Sequence, residues 1–121
     1  MAKKILVVDD EPDILKLETF RLKKSGYEVA TATDGREAFD LIQKEKPDLI
    51  LLDLRLPIMD GYEVCKRLKA DQELKHIPVI LLTASTVGKI AGTAKELKAD
   101  DYLTKPFHLQ ELLAKVKKFL D

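Results

Sequence analysis

The sequence has few of the residues that stabilise small secreted proteins and no segment long enough to cross a membrane. Its 121 residues include one cysteine, Cys65, which excludes an internal disulfide. No apolar run approaches the roughly 18 residues of a transmembrane helix, and the N-terminal residues lack the apolar stretch and cleavage site of a signal peptide. These absences predict a cytoplasmic protein with no membrane insertion.

Net charge and glycine-rich motifs are absent as well. The chain has 21 basic and 21 acidic residues, and a protein that binds nucleic acid directly needs a positive surplus. The five glycines form neither a Walker loop nor a dinucleotide fingerprint, so an ATP- or NAD-dependent enzyme finds no support. With 45% apolar residues and no linker or repeat, residues 1–121 are expected to form one domain, with no output domain.

Short apolar runs alternate with helical patterns along the chain. Residues 5–8, 49–52 and 79–82 are continuously apolar, as strands buried on both faces of a parallel sheet are. Residues 27–32 alternate and residues 101–104 are short, which is typical of edge strands. The pattern predicts an α/β fold, namely a doubly wound five-stranded parallel sheet in the flavodoxin-like order 2-1-3-4-5, with helices on both faces in three layers.

The helices between these runs have apolar stripes and terminal signals. The last helix is the clearest, with Leu109, Leu112, Leu113, Val116 and Leu120 on one side. Asp34 with Glu37 and Asp60 with Glu63 have the spacing of a capping box. The first helix is less regular, and its predicted apolar side consists of Ile14, Leu15, Leu17 and Phe20.

Polar residues follow the predicted strands at their carboxyl ends. Asp9 and Asp10 follow the first strand, Asp53 the third, Thr83 the fourth and Lys105 the fifth. In doubly wound sheets the ligand site lies at this edge, so we expect three carboxylates to converge beside a hydroxyl and an ammonium. Crowding carboxylates either raises the pKa of at least one of them or requires a cation, and Mg²⁺ prefers oxygen ligands of this kind. A carboxylate beside a metal and a lysine is suited to accept a phosphoryl group.

Four segments carry a resemblance that spans the chain. They are ILVVDDE (5–11), PDLILLDLRLPIMDG (47–61), IPVILLTA (77–84) and ADDYLTKPF (99–107). Together, in this order and spacing, they are similar to the response-regulator receiver domains of two-component signalling, the CheY-like family.

The resemblance implies a role for each of these residues. Asp53 would accept the phosphoryl group from a sensor histidine kinase or a histidine phosphotransfer protein. Mg²⁺ would be held by Asp10 and Asp53, by Asp9 through water, and by the backbone carbonyl of Arg55. Lys105, Thr83 and the backbone amide of Ala84 would bind the phosphoryl group. Tyr102 would be the aromatic switch, and the face around it would bind a downstream protein.

Two of the departures from the family pattern, and two alternative functions, bear on this resemblance. Arg55 and Ser85 stand at positions that influence hydrolysis of the acyl phosphate in the family, and Arg55 would either screen the phosphoryl group or point into solvent. A pseudo-receiver, which never turns over phosphate, is the alternative function. A phosphatase or dehalogenase with an aspartyl nucleophile would need an acidic residue where Arg55 stands. The leading interpretation is a signalling switch that catalyses its own phosphorylation and is otherwise no enzyme.

Overall fold

The computed structural model describes residues 2–84 and 87–121, which form five strands and five helices in strict alternation. In chain order these are β1 (Lys4–Val8), α1 (Pro12–Lys24), β2 (Glu28–Ala32), α2 (Gly35–Glu45), β3 (Leu49–Asp53), α3 (Gly61–Ala70), β4 (Val79–Thr83), α4 (Val87–Glu96), β5 (Asp101–Thr104) and α5 (Leu109–Leu120). None of the helices within the described ranges combines the length and apolarity needed to span a lipid bilayer.

The sheet is parallel and has the predicted order, β2-β1-β3-β4-β5. β3 and β4 are buried at every residue, as their continuous apolar sequences indicated, while β2 lies at an edge and has exposed positions. Strand order therefore follows from apolarity, because only a strand covered on both faces gains from side chains that are apolar on both sides.

The two faces of the sheet form two cores. Alternate strand residues such as Leu6, Ile50 and Leu81 point to the face covered by α2, α3 and α4. Their neighbours, including Val7 and Leu51, pack against α1 and α5 on the other face. The chain is thus a three-layer α/β/α molecule with the functional loops at the carboxyl edge of the sheet.

At the starts of α2 and α3, one of the two hydrogen bonds of each predicted capping box is present. Asp34 accepts a hydrogen bond from the Glu37 amide at 2.7 Å, and Asp60 accepts one from the Glu63 amide at 2.9 Å. The reciprocal hydrogen bond at α2 differs from that of a capping box, because Glu37 accepts a hydrogen bond from the amide of Thr33 instead of from that of Asp34. Each aspartate therefore satisfies one of the free amides in the first turn of its helix.

The predicted apolar side of α1 is partly wrong. Phe20 is 63% exposed and Leu17 is 46% exposed, whereas Leu15, Glu18 and Leu22 are the buried residues of the helix. Steps of three and four residues link these buried positions, so they share one face of an α-helix. Apolarity alone was therefore a poor guide to α1, because the helical spacing places a glutamate, not a further apolar residue, on the buried face.

Candidate functional site

The site lies where the carboxyl ends of β1 and β3 meet. These strands pair in parallel with Val8 opposite Leu52, so the next residues, Asp9 and Asp53, also lie side by side. Asp9 is fully buried, Asp53 is 6% exposed and Asp10 faces solvent. One carboxylate oxygen from each of these three residues lies within 4.8 Å of the others. The structure thus brings together the three acidic residues that the sequence analysis selected.

Lys105 connects the two buried carboxylates. Its Nζ lies 2.5 Å from Asp9 Oδ2 and 2.6 Å from Asp53 Oδ2, close enough for charge-assisted hydrogen bonds. The backbone fixes the lysine, because the Lys105 amide donates to the carbonyl oxygen of Thr83 at 2.7 Å. The peptide bond that follows, Lys105–Pro106, is cis. The ammonium therefore lies between the ends of β1 and β3 although it belongs to the loop after β5.

The second oxygen of each buried carboxylate accepts a hydrogen bond from the backbone amide two residues further along the chain. The Glu11 amide donates to Asp9 Oδ1 at 3.0 Å, and the Arg55 amide donates to Asp53 Oδ1 at 2.8 Å. Such turns are common where an aspartate ends a strand. Both carboxylates are consequently held by a local amide on one side and by Lys105 on the other.

Burial and charge act in opposite directions on the ionisation of this cluster. Burial raises the pKa of Asp53, and the nearby charge of Asp9 adds to the rise, while Lys105 and the Arg55 amide work against it. Burial alone would lower the pKa of Lys105, but its hydrogen bonds to Asp53 and Asp9 outweigh burial and raise it. Lys105 is therefore an ammonium at neutral pH, and its charge reduces the cost of ionising Asp53 in this buried position.

Thr83 and Ala84 lie beside this cluster, at the end of β4. Thr83 is buried, and Ala84 directly after it is exposed. The pairing of Thr83 with Thr104 brings the end of β4 next to the residue that precedes Lys105. The predicted hydroxyl and amide donors thus lie at the carboxyl end of the strand that neighbours β3. Ser85 lies outside the described residues.

Tyr102 lies on β5, one strand further from the acidic residues. It pairs with Leu81, is partly buried and packs against the core cluster beneath α2–α4. Lys115 on α5 places its Nζ 5.8 Å from the centre of the Tyr102 ring and donates to Asp101 Oδ1 at 2.8 Å. The tyrosine therefore connects the sheet to the β5–α5 surface.

The donor set fits a hard divalent cation. Mg²⁺ takes oxygen ligands from one or two carboxylates and fills its remaining positions with water or phosphate oxygens. Asp9, Asp10 and Asp53 offer three carboxylates, of which the exposed Asp10 has no hydrogen bond to Lys105. Arg55 lies in the loop after β3 and is exposed, and its amide donates to Asp53 Oδ1.

Glu18 is a feature of this region that the sequence analysis missed. It is 5% exposed, its Oε2 has no hydrogen-bond partner among the residues that the structure describes, and burial raises its pKa. It lines a cavity of about 460 Å³ between α1 and the loop that follows β5, together with Ile14, Phe107 and the stem of Lys105. The signal that could have found it is its position three residues after Leu15 and four before Leu22.

Comparisons with known proteins agree with this architecture. Residues 5–117 match the family model of the response regulator receiver domain. The signal receiver domain of a signal transduction histidine kinase from Syntrophus aciditrophicus is 38% identical with a TM-score of 0.91, and the match covers 98% of this chain and 90% of that one. Chemotaxis protein CheY4 of Vibrio cholerae is 34% identical with a TM-score of 0.90, over 98% and 99% of the two chains.

A third similar structure carries a metal. The receiver domain of a sensor histidine kinase from Pseudomonas aeruginosa PAO1 is 30% identical with a TM-score of 0.90, over 99% of this chain and 98% of that one. That protein was solved with a magnesium ion coordinated in the active site cleft. The family match covers nearly all of the chain, which therefore belongs to the response regulator receiver domain family of two-component systems and is CheY-like.

Proposed function

We propose that this chain is a phosphoacceptor receiver that takes a phosphoryl group onto Asp53 from a phosphohistidine of a sensor histidine kinase or a histidine phosphotransfer protein. The observation that supports this most is the shared ammonium: Lys105 lies 2.6 Å from the Asp53 carboxylate and 2.5 Å from that of Asp9. A nucleophilic carboxylate beside a partly buried cation is the arrangement that phosphoryl transfer needs, because charge on the transferred group must be neutralised.

In the proposed reaction, a carboxylate oxygen of Asp53 forms the new P–O bond while the P–N bond to the donor imidazole breaks. Mg²⁺, held by Asp10 and Asp53 directly, by Asp9 through water and by the Arg55 carbonyl, would neutralise charge on the phosphoryl oxygens. Lys105 would leave its present carboxylate contacts and pair with the phosphoryl group. Thr83 and the Ala84 amide would donate further hydrogen bonds to it.

The output of the switch would pass through the surface near β5. Phosphorylation adds nearly two negative charges, which draw Thr83 and Lys105 toward the acyl phosphate. Tyr102, on the neighbouring strand, would then change its position and alter the face that a downstream protein binds. We place this receiver domain in the cytoplasm, where it would bind partner proteins without contacting nucleic acid or inserting into a membrane.

Acetyl phosphate with Mg²⁺ tests the proposal in the absence of a kinase. We expect wild-type protein to gain the mass of one phosphoryl group, and Asp53→Asn to gain none because the amide is no nucleophile. Asp40→Asn is the matched control, since Asp40 is an exposed aspartate on α2, and it should be modified like the wild type. No gain in the wild type would favour the pseudo-receiver. An undiminished gain in Asp53→Asn would show that another residue accepts the group.

A further inference from the structure

The loop between β3 and α3, residues 54–60, has a strained backbone next to the phosphoacceptor. Ile58 has φ of 70°, a conformation that a β-branched residue rarely adopts. The Met59 amide donates to the Pro57 carbonyl at 2.8 Å, so Ile58 is the central residue of a three-residue turn. Ile58 is 82% exposed and contributes little burial that could hold this geometry. The surrounding structure must therefore impose it.

The N-terminus of α2 holds this loop through Gly35. A Cβ atom on Gly35 would lie 1.6 Å from the carbonyl oxygen of Met59 and 2.5 Å from its carbonyl carbon, so no side chain fits there. The Gly35 amide also points to the Pro57 carbonyl oxygen, at 3.5 Å. The loop backbone thus rests directly on the first residue of α2, where the peptide dipoles of a helix favour a carbonyl oxygen.

The same loop closes on the backbone of the phosphoacceptor. The Gly61 amide donates to the Leu54 carbonyl at 3.1 Å, and a Cβ atom on Gly61 would lie 2.3 Å from the carbonyl oxygen of Asp53. The Arg55 amide donates to Asp53 Oδ1 at 2.8 Å. Close contacts therefore connect Gly35, through residues 57–59, to two groups of the proposed metal site. These are the Asp53 carboxylate at the end of β3 and the Arg55 backbone in the loop that follows.

We propose that Gly35 is a positioning residue for the magnesium and phosphoryl site. By admitting the backbone of Met59 against α2, it keeps the 54–60 loop in the strained conformation that sets the Arg55 backbone relative to the Asp53 carboxylate. This inference rests on the proposed function, because it concerns the affinity of that same site. If Gly35 had a role only in the helix, replacing it with alanine would favour the helix, since alanine is preferred over glycine within helices.

The test compares Gly35→Ala with Gly92→Ala. Gly92 is in α4, and a Cβ atom there would have no neighbour within 4 Å in the described part of the chain, so it controls for the gain in helix preference. Backbone amide chemical shifts of residues 54–60 are recorded without metal, and Mg²⁺ alone is then titrated into the folded proteins. We expect the loop shifts to change in Gly35→Ala and its Mg²⁺ dissociation constant to rise about tenfold to hundredfold, the usual effect of losing an outer-shell support.

The possible outcomes separate this inference from the proposed function. Unchanged loop shifts or unchanged Mg²⁺ affinity in Gly35→Ala would overturn the positioning role, even if the variant melts at a lower temperature. If neither wild type nor Gly92→Ala binds Mg²⁺, the proposed function fails, and the loop shifts alone decide whether Gly35 sets the loop.

A second pair of variants keeps the test decisive if Gly35→Ala does not fold. Ile58→Gly removes the strain of the positive φ and lets the loop move at lower cost. The double variant Gly35→Ala/Ile58→Gly is then compared with Ile58→Gly alone. We expect the double variant to bind Mg²⁺ about tenfold to hundredfold more weakly than Ile58→Gly, which is the usual effect of losing an outer-shell support. Equal affinities in the two proteins would refute the proposal.

Discussion

Replacing Lys105 with methionine tests whether its ammonium stabilises the two buried carboxylates. The change keeps a long side chain but removes the charge that lies 2.5 Å from Asp9 and 2.6 Å from Asp53. Removing one partner of a buried ion pair costs about 3–5 kcal/mol, because the remaining charge is left without compensation. With 121 residues, the unfolding entropy is about 250 cal/mol/K, so the melting temperature should fall by about 12–20 °C at pH 7.

The loss of stability in Lys105→Met should depend on pH, and the pKa of Asp53 determines the direction. The folded-state pKa of Asp53 is already raised by burial, and removal of Lys105 raises it further. A carboxyl group with a raised folded pKa favours folding below its unfolded pKa of about 3.9 and loses that contribution as pH rises through the folded value. The penalty of Lys105→Met should therefore be smaller below pH 4 than at pH 7.

Thermal and urea unfolding at pH 3.5 and pH 7 measure this difference. Lys46→Met is the control, because Lys46 forms an exposed ion pair with Glu73 at 3.4 Å, worth at most about 1 kcal/mol. Mg²⁺ should stabilise Lys105→Met more than wild type, since the freed carboxylates lack another cation. A loss no larger than that of Lys46→Met, or one that is equal at both pH values, would refute the electrostatic account of the site.

Two further predictions concern the neighbouring carboxylates. Asp10→Asn should melt higher than wild type in EDTA, by at most about 4 °C because Asp10 is exposed, and a lower melting temperature would contradict repulsion within the cluster. Glu18→Gln should be more stable than wild type at pH 8 and equal to it at pH 4. Burial raises the pKa of Glu18, so its contribution to folding is lost as pH rises. Urea midpoints at both pH values test this, and an equal difference at both would contradict it.

The strand order and the position of the acidic cluster could be predicted because both depend on sequence periodicity and topology. Continuous apolar runs identified β1, β3 and β4 as central strands, and the structure has them there. In a parallel sheet, residues that follow adjacent strands must meet at one edge, so Asp9 and Asp53 were bound to be neighbours once β1 and β3 paired. Neither conclusion required knowledge of any side-chain conformation.

The features that sequence analysis missed depend on close packing between distant segments. Nothing near Ile58 in the chain indicates a positive φ, because the contact that accompanies it comes from Gly35 on another element. The burial of Glu18 likewise follows from the orientation of α1 against the sheet and the β5–α5 loop. Phe20 is exposed for the same reason, although it is among the most apolar residues of its helix. Such contacts are set by tertiary structure, which overrides local preference.

The charge balance of the site connects the metal requirement to the action of Lys105. At present the ammonium is shared by Asp9 and Asp53, and both carboxylates are nearly inaccessible to water. If Lys105 moved to a phosphoryl group without a replacement, Asp9 would become an uncompensated buried charge, which costs several kcal/mol. A divalent cation at the exposed side, near Asp10, would remove that cost before the lysine moves. Under the proposed function, Mg²⁺ therefore neutralises the transferred group and also allows Lys105 to leave its carboxylate partners, so phosphorylation and the lysine movement should require the ion together.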